Sequence, residues 1–582
     1  MLTEAHESRQ TGNRDTGGVA SLRPAREVMD LDRLGRLHAC RISFIRTLVR
    51  KMMREQWRIE SRRFDLDRDG YGTAIYRVTT TEDVYSFVLF SRELDDSQRT
   101  DRVIANAWDC AFALVQGEVD AAGLEHLREN VPKQEAGRCD PGVIVLSRAN
   151  RSVRNFESVV QALSEGRQPD PAQLARVGYL YRTTAVYGNG KFGIADYPKI
   201  RERGDFGLPF SAQMFTVYLL RHFSIQQAEH IAACRSAGSA VRMDARIKRY
   251  VGIGNSTGLG MAPFLISHPM LINQWLLARE TALARCLEQP ADRTRLDRLV
   301  ALIERALQHT RETHVDDARQ VRENRTLLEQ LEHARDWLGS QAPGQRRLWR
   351  ELSDHARAHW SLETQELLHS LLTELHPELV DELERHMGAR EEYELVPDMT
   401  LDELVACIES HYDWALAIDF ERPEAEYFFW YRSAEKEEPR LGVRAEEPGA
   451  DREMPLDVGR RVRRCHDAVQ LYRARYGGGV TVIDFLIDRP GLKGIVRRIQ
   501  SMSGTTYGEI RANLLDRGML PMHLLRCKLS FFGVTKFDPR SSRWVRITLF
   551  QGAPLVEDIG SGFEDDWSLP AMPDLPADDG RA

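Results

Sequence analysis

The chain has 582 residues, of which 42% are hydrophobic and 29% charged, and its formal net charge is −7. This composition is ordinary for globular proteins and excludes a wholly disordered chain, and the length predicts about three or four folding units. Because 87 acidic residues outnumber 80 basic ones, no overall positive field favours nucleic acid as a partner.

Neither a signal peptide nor a membrane span is predicted. Residues 1–26 contain no apolar run of the signal-peptide type, and no window approaches 18 consecutive apolar residues. The eight cysteines are scattered without a Cys-x-x-Cys pair, which favours reduced thiols over a disulfide framework or a zinc ribbon. We therefore expect a soluble, cytoplasmic protein that binds neither nucleic acid nor membrane.

The pattern along the chain predicts a mixed α/β fold, rich in helix, in which two α+β units flank a central helical bundle. Polar, aperiodic ends indicate disordered tails at 1–30 and 561–582. Between 31 and 165, an amphipathic helix precedes a β-branched and aromatic stretch at 71–91 that is typical of a hairpin, and a further strand is predicted at 142–146. This region is the predicted N-terminal α/β unit.

Residues 166–395 are predicted to form a helical domain. Apolar residues recur at three-and-four spacing through 296–307 and 315–338, as in long amphipathic helices. Charged residues on the opposite faces favour a solvated scaffold, and the helices of 290–390 are where a homo-oligomer contact would form. Residues 396–560 mix helical and strand-like patterns and are predicted to be the C-terminal α+β unit.

A glycine-rich segment, Val251–Phe264, concentrates four glycines with Asn, Ser and Thr ahead of a helical stretch. Glycine lets the backbone approach a ligand, and free N–H groups at the start of a helix favour an anion. We therefore expect an anion-binding loop over 252–260 within the helical domain. Its predicted ligand-binding residues are Gly252, Gly254, Asn255, Thr257, Gly258 and Gly260.

The same loop allows two other interpretations. It completes neither the dinucleotide nor the P-loop signature, but Gly254–Gly258 matches Gly-x-Ser-x-Gly, the turn that exposes a nucleophilic serine between a strand and a helix. Ser256 is accordingly the candidate nucleophile of a serine hydrolase, although the preceding residues 240–250 are more helix-like than strand-like. The third interpretation is a glycine-rich connection that binds nothing.

A second polar segment, 179–193, supplies side chains suited to acid–base chemistry. Arg182 can bind an anion in a bidentate manner, and Tyr187 and Lys191 can move a proton if they are desolvated. Apolar neighbours favour partial burial of the group. On an exposed surface, however, the same residues would carry no function.

Two further groupings are weaker candidates. Arg432 follows an aromatic run and could bind the same anion, but a solvated loop of ion pairs explains that stretch more simply. His355, His359 and Glu363 are spaced four apart and form a metal-binding set only if their helix face points inward. Because charged and polar residues crowd that helix, no metal site is predicted.

Together these features predict a cytosolic enzyme that acts on a small phosphate- or carboxylate-bearing metabolite. The loop at 252–260 would bind the anion, with Arg182, Tyr187 and Lys191 providing charge and proton transfer. This prediction requires the two segments to meet in space. The alternatives are a serine hydrolase that uses Ser256 and a non-catalytic helical interaction protein. The sequence identifies no cofactor.

Overall fold

The computed structural model describes most of the chain, and it confirms a mixed α/β fold that is rich in helix. The described residues are 21–98, 107–134, 138–184, 203–258, 268–388, 393–421, 430–433, 439–441, 450–454, 458–509, 521–541, 544–562 and 564–574.

The centre of the fold is a nine-stranded sheet in the order β1-β2-β3-β4-β5-β6-β7-β12-β11. Neighbouring strands are antiparallel except for β6 and β7, which are parallel. A separate three-stranded sheet has the order β10-β8-β9. The strands are β1 Arg58–Leu66, β2 Gly72–Thr79, β3 Val84–Ser91, β4 Cys110–Gln116, β5 Val143–Arg151, β6 Tyr179–Thr183, β7 Gly252–Gly258, β8 Trp430–Ser433, β9 Pro439–Leu441, β10 Ala450–Met454, β11 Lys536–Ser541 and β12 Trp544–Leu549.

Helices surround the sheet and build two further bodies. None of them, within the described residues, is both long enough and apolar enough to cross a membrane. The helices are α1 Ala25–Val28, α2 Leu31–Leu34, α3 Phe44–Arg54, α4 Ala121–Asn130, α5 Phe156–Ser164, α6 Pro171–Val177, α7 Ser211–Arg235, α8 Ala245–Tyr250, α9 Pro269–Leu287, α10 Arg293–Glu312, α11 Ala318–Gly339, α12 Leu348–His359, α13 Leu362–Thr373, α14 Pro377–Val380, α15 Leu401–His411, α16 Asp413–Leu416, α17 Val458–Tyr476, α18 Val482–Asp488, α19 Lys493–Met502 and α20 Pro521–Phe532.

The predicted hairpin at 71–91 is confirmed by β2 and β3, which pair in register from Gly72 opposite Ser91 to Thr79 opposite Val84. Side chains alternate between the two faces of such a strand. Phe87 and Leu89 belong to the main core, whereas Val88 and Phe90 belong to a smaller core on the opposite face. Both faces of this part of the sheet are therefore covered.

The two coverings differ in extent. The 25-residue helix α7 contributes Phe215 and Phe223 to the main core on one face. On the other face, among the described residues, the helical cover comes from the ten-residue helix α4 and the turn after it, through Leu124, Leu127 and Val131. This smaller cover leaves room for a cavity beside α4. We call this second face the outer face of the sheet.

The prediction of separate N-terminal and C-terminal α+β units is corrected by the sheet order. β12 pairs with β7 from Trp544 opposite Gly258 to Leu549 opposite Ile253, so strands from 536–549 complete the sheet begun at 58. Without β12, β7 would expose an unpaired edge in the interior of the molecule, which is costly. The predicted boundaries at 165 and 396 therefore divide one sheet between different units.

The predicted long helices are confirmed. α10 and α11 pack with α12 and α13 around a second core that contains Leu299, Leu331, Trp349 and Leu368. A third core lies within 401–502, where α15, α17 and α19 pack together.

The predicted tails need correction where the structure describes them. Residues 25–34 contain two short helices, and Arg23 contacts Glu280 and Glu366 at 2.7 Å. Near the other end, Trp567 is 3% exposed, so 564–574 is not a disordered tail. Val28 and Trp567 are buried in the main core, but the ion pairs that also hold these segments leave no apolar periodicity in the sequence. The remaining parts of both tails lie outside the described residues.

Candidate functional site

The predicted anion-binding loop is a β-strand. Gly252–Gly258 forms β7 between β6 and β12, so its backbone takes part in sheet pairing rather than presenting free N–H groups at a helix start. The glycines serve close packing: a Cβ on Gly252 would lie 2.4 Å from the carbonyl oxygen of Leu549, and one on Gly254 would lie 2.3 Å from the ring of Tyr179. Gly260 lies outside the described residues.

The serine-elbow geometry is likewise wrong. A nucleophile elbow places its serine at a sharp turn from a strand into a helix, whereas Ser256 lies inside β7 opposite Arg546, with Thr257 opposite Val545. The element before β7 is helix α8, which ends at Tyr250. Asn255 is buried, and its side-chain amide donates a hydrogen bond to the carbonyl oxygen of Thr183 on β6.

The two predicted segments do adjoin in the fold, because Arg182 on β6 lies opposite Gly254 on β7. Tyr187 and Lys191 lie outside the described residues. Arg432 is on β8, in the separate three-stranded sheet. The structure thus places Arg182 beside the glycine-rich strand and Arg432 in another sheet.

A cavity of about 430 Å³ opens on the outer face of the main sheet, beside α4. Its floor is a row of residues paired across four strands: Thr73, Phe90, Ala111 and Arg148. The volume lies within the range of about 300–1,000 Å³ that is typical of small-molecule sites. The outer face therefore holds a cavity large enough for a metabolite.

Trp108 forms one wall of this cavity and is fixed from both sides. The side chain of Asn150 accepts a hydrogen bond from the N–H of Asp109 at 2.7 Å and donates to the carbonyl oxygen of Ala107 at 3.1 Å. Arg92 Nε donates to the carbonyl oxygen of Trp108 at 2.9 Å. Because Asn150 is 2% exposed, these contacts hold the Trp108 backbone rigidly against the sheet.

Arg148 reaches over the Trp108 ring, with its guanidinium carbon 3.9 Å from the ring centroid. This cation–π contact is its principal interaction, because Arg148 forms no ion pair with any carboxylate in the described chain. Burial lowers the pKa of Arg148 from its ordinary value, which is the effect of desolvating an uncompensated cation. A partly buried guanidinium without a carboxylate retains donors for a ligand.

The rest of the cavity adds positive charge and hydrogen-bond donors. Arg92 and Arg128 also line it, whereas no Asp or Glu does among the residues that the structure describes. Arg128 additionally contacts Glu125 at 2.8 Å. The indole N–H of Trp108, which is 9% exposed, has no hydrogen-bond partner in that part of the chain. The arrangement favours an anionic ligand.

Gln134 adds a backbone feature to the same site. Its φ is +55°, in the left-handed region that non-glycine residues rarely adopt and that is often found at binding sites. The Gln134 side-chain amide donates to the carbonyl oxygens of Val131 at 2.7 Å and Ser147 at 3.0 Å. The bond to Val131 holds the turn after α4 together, and the bond to Ser147 ties that turn to β5. Both bonds fix this wall of the cavity.

The candidate metal ligands His355, His359 and Glu363 do not share one helix face in the structure. His355 and His359 lie on α12 with ring centroids 4.7 Å apart, but α12 ends at His359 and Glu363 lies in the first turn of the next helix, α13. Glu363 instead contacts His38 at 3.1 Å and also pairs with Arg526. Within the described residues, no three His, Cys, Asp or Glu side chains are grouped so as to hold a metal.

Sequence reasoning missed Arg92, Trp108 and Arg148. One signal was present for Arg148: it lies two residues after Leu146 on β5, and Leu146 belongs to the core on the outer face. Side chains two residues apart on a strand share a face, so Arg148 is directed toward the same covered face. The predicted strand ended at Leu146, two residues before this charge.

Known protein families, characterised proteins and solved structures were compared with the chain, and none of them matches it. The geometry of the site is therefore the basis for inferring function.

Proposed function

We propose that this protein binds a small metabolite bearing a phosphate or carboxylate group in the cavity between Trp108 and Arg148. The observation that carries the proposal is Arg148: it is partly buried, stacked on a fixed indole, and unpaired with any carboxylate of the described chain. Burying a cation without a counter-charge is unfavourable. A ligand anion that completes the pair makes this arrangement favourable.

The ligand's non-ionic part is expected to contact the apolar walls. Phe90, Trp108 and Pro132 line the cavity together with the arginines, and such a mixture of apolar surface with a few placed polar groups is typical of metabolite sites. The anion would bind near Arg148 and the unpartnered indole N–H of Trp108, while a flat or aliphatic group would lie along Phe90 and Pro132.

We also propose that the site is enzymatic, with Arg182, Tyr187 and Lys191 as its reactive side. Asn150, two residues after Arg148 on β5, lies opposite Arg182 on β6. Side chains two residues apart on a strand share a face, so Arg148 and Arg182 belong to the same face of the sheet. Tyr187 and Lys191 follow β6 in the chain. Their contribution is tested by Lys191→Met, which should abolish turnover of a bound ligand while retaining its binding.

Binding is tested by thermal shift with a panel of phosphorylated and carboxylated metabolites, alongside their uncharged analogues. A ligand at about 100 times its dissociation constant adds about 2.7 kcal/mol to stability. Arg148→Met should remove the shift, because one charge-assisted contact is worth about 1.5–3 kcal/mol. Arg62→Met, on an exposed arginine of β1, is the matched control.

Two outcomes would contradict the proposal. Equal shifts from the charged ligand and its uncharged analogue would show that the cavity does not select an anion. A ligand shift that persists in Arg148→Met and disappears in Arg432→Met would place the anion site in the other sheet. Quenching of Trp108 fluorescence by the bound ligand, absent in Trp108→Phe, locates binding independently.

A further inference from the structure

The segment 564–574, which we call the C-terminal strap, crosses the molecule without helix or strand. Its consecutive residues Asp565 and Asp566 are bound by arginines from different helices. Asp565 contacts Arg46 at 2.8 Å and Arg50 at 2.9 Å, both on α3. The strap is therefore attached at one point to the N-terminal part of the chain by charge.

Asp566 attaches the strap to α10. Its carboxylate contacts Arg298 at 2.6 Å and Arg305 at 2.7 Å. Further along, the carbonyl oxygen of Pro570 is 2.7 Å from His309 Nδ1. Apart from the buried Trp567, most of these attachments are electrostatic or hydrogen-bonded, and contacts of this kind weaken with salt or with loss of one charge.

The strap lines one side of a cavity of about 90 Å³, which we call the strap cavity. Trp567 and Ser568 of the strap line it, together with Cys40 and Ser43 from the N-terminal part of the chain. At about 30 Å³ for each water molecule, this volume accommodates about three. Cys40 is 2% exposed, so its thiol is shielded from solvent when the strap is in place.

The charges that line the strap cavity are already paired. Glu363 lies 3.1 Å from both His38 and a guanidinium nitrogen of Arg526. The lining groups that lack a hydrogen-bond partner among the described residues are neutral: the hydroxyls of Ser43 and Ser568 and the indole N–H of Trp567. Buried polar groups in proteins are normally satisfied. A molecule that satisfied these three groups would be uncharged and able to form hydrogen bonds.

We propose that the C-terminal strap is a lid, held closed by Asp565 and Asp566, over a second site that takes a small uncharged molecule with hydroxyl or carbonyl groups. The two aspartates bind α3 and α10 at once, so the lid closes only when both contacts form. Opening the lid exposes Cys40, which gives the opening a direct chemical readout.

The experiment measures alkylation of each cysteine by N-ethylmaleimide in the full-length protein, using peptide mass spectrometry. Asp566→Asn should accelerate labelling of Cys40 by more than about tenfold, because it weakens two charge-assisted contacts. In about 1 M NaCl, labelling of Cys40 in the wild-type protein should also be faster, because the Debye length falls to about 3 Å and the ion pairs weaken. Asp574→Asn, the same change at an exposed strap residue, is the matched control and should leave the rate unchanged.

Cys286 and Cys465, both fully buried in other parts of the molecule, report global unfolding. Equal acceleration at all three cysteines would show that the strap is a structural element rather than a lid, and unchanged Cys40 labelling would show that the two contacts do not hold it. For the occupant, glycerol should slow Cys40 labelling in Asp566→Asn more than sucrose of equal osmolality, because sucrose is too large for the cavity. Equal slowing by both would contradict the second site.

Discussion

Arginine occupies two contrasting settings in this protein. Around Glu366, which is fully buried, Arg23, Arg33 and Arg279 each place a guanidinium nitrogen 2.6–2.7 Å from the carboxylate. In the cavity on the sheet, Arg148 has an aromatic ring, but no carboxylate of the described residues pairs with it. The same side chain is thus fully compensated in one place and uncompensated in the other.

The difference indicates which arginines belong to the fold and which to a ligand. A buried cation surrounded by carboxylates stabilises its surroundings only as a complete set, since removal of one member leaves an unpaired charge. A partly buried cation without a partner costs stability, and a bound anion would offset that cost. The predictions below test this distinction.

The largest effect is expected from Glu366→Gln. This substitution keeps the shape of the side chain but leaves three arginines with less negative charge nearby, so we expect a loss of about 3–5 kcal/mol in unfolding free energy. Urea denaturation measures it. Glu60→Gln, in an exposed pair with Arg62, is the control and should cost less than about 1 kcal/mol. Equal effects of both variants would contradict the distinction.

Acid should also lower the unfolding free energy, through protonation of a second buried carboxylate, Glu363. Burial alone would raise the pKa of Glu363, but Arg526 and His38 outweigh it and lower that pKa from 4.5 to about 2. The unfolded chain therefore takes up the proton first, so the contribution is complete above about pH 5 and is lost as the pH falls toward 2. We expect Glu363 alone to account for about 3 kcal/mol.

Unfolding free energies measured at several pH values between 7 and 3 test this prediction. Glu363→Gln should flatten the acid side of the curve relative to wild type, whereas Glu60→Gln should leave its shape unchanged. An identical slope in Glu363→Gln and wild type would show that the pKa of Glu363 is not depressed in the folded state.

Substitution of a glycine in β7 should lower stability by a smaller amount, because the new side chain would clash with its neighbours. In Gly252→Ala the new methyl group would meet the backbone oxygen of Leu549 at 2.4 Å, and forcing atoms into such a space typically costs about 1–3 kcal/mol. Ligand binding at Trp108 should be unchanged. Gly339→Ala, where nothing lies within 4 Å, is the control. Loss of binding in a folded Gly252→Ala protein would indicate that the ligand binds at β7 and not in the cavity beside Trp108.

Local periodicity explains what could be predicted from sequence. The alternation at 71–91 and the three-and-four spacing of 296–307 depend on neighbouring residues only, and both elements form as expected. The pairing of β12 with β7 joins residues nearly 290 positions apart, and no local pattern specifies such a partner. The pairing of strands that are distant in the chain could therefore not be predicted from local sequence patterns.

The sites follow the same rule. Glycine enrichment at 252–258 was visible, but a strand packed against Tyr179 and a ligand-binding loop require the same small residues. The contact of Arg23 with Glu366 joins residues 343 positions apart. No local pattern in the sequence therefore predicts that the ends of the chain are ordered. Arg148 was visible in the sequence as a charge two residues after an apolar run, and only the structure shows that it pairs with no carboxylate of the described part of the chain.

The smallest change in stability, and the one that separates the two settings most clearly, is expected from Arg148→Met. Methionine preserves the aliphatic contact with Trp108 and removes an uncompensated charge, so unfolding free energy should stay within about 0.5 kcal/mol of wild type or rise. The same substitution at Arg279, which is 1% exposed and bound to Glu280 and Glu366, should cost about 3–5 kcal/mol. Paired urea denaturation curves decide the matter: a large loss in Arg148→Met would mean that this arginine supports the fold, and its role in holding an anion would lose its physical basis.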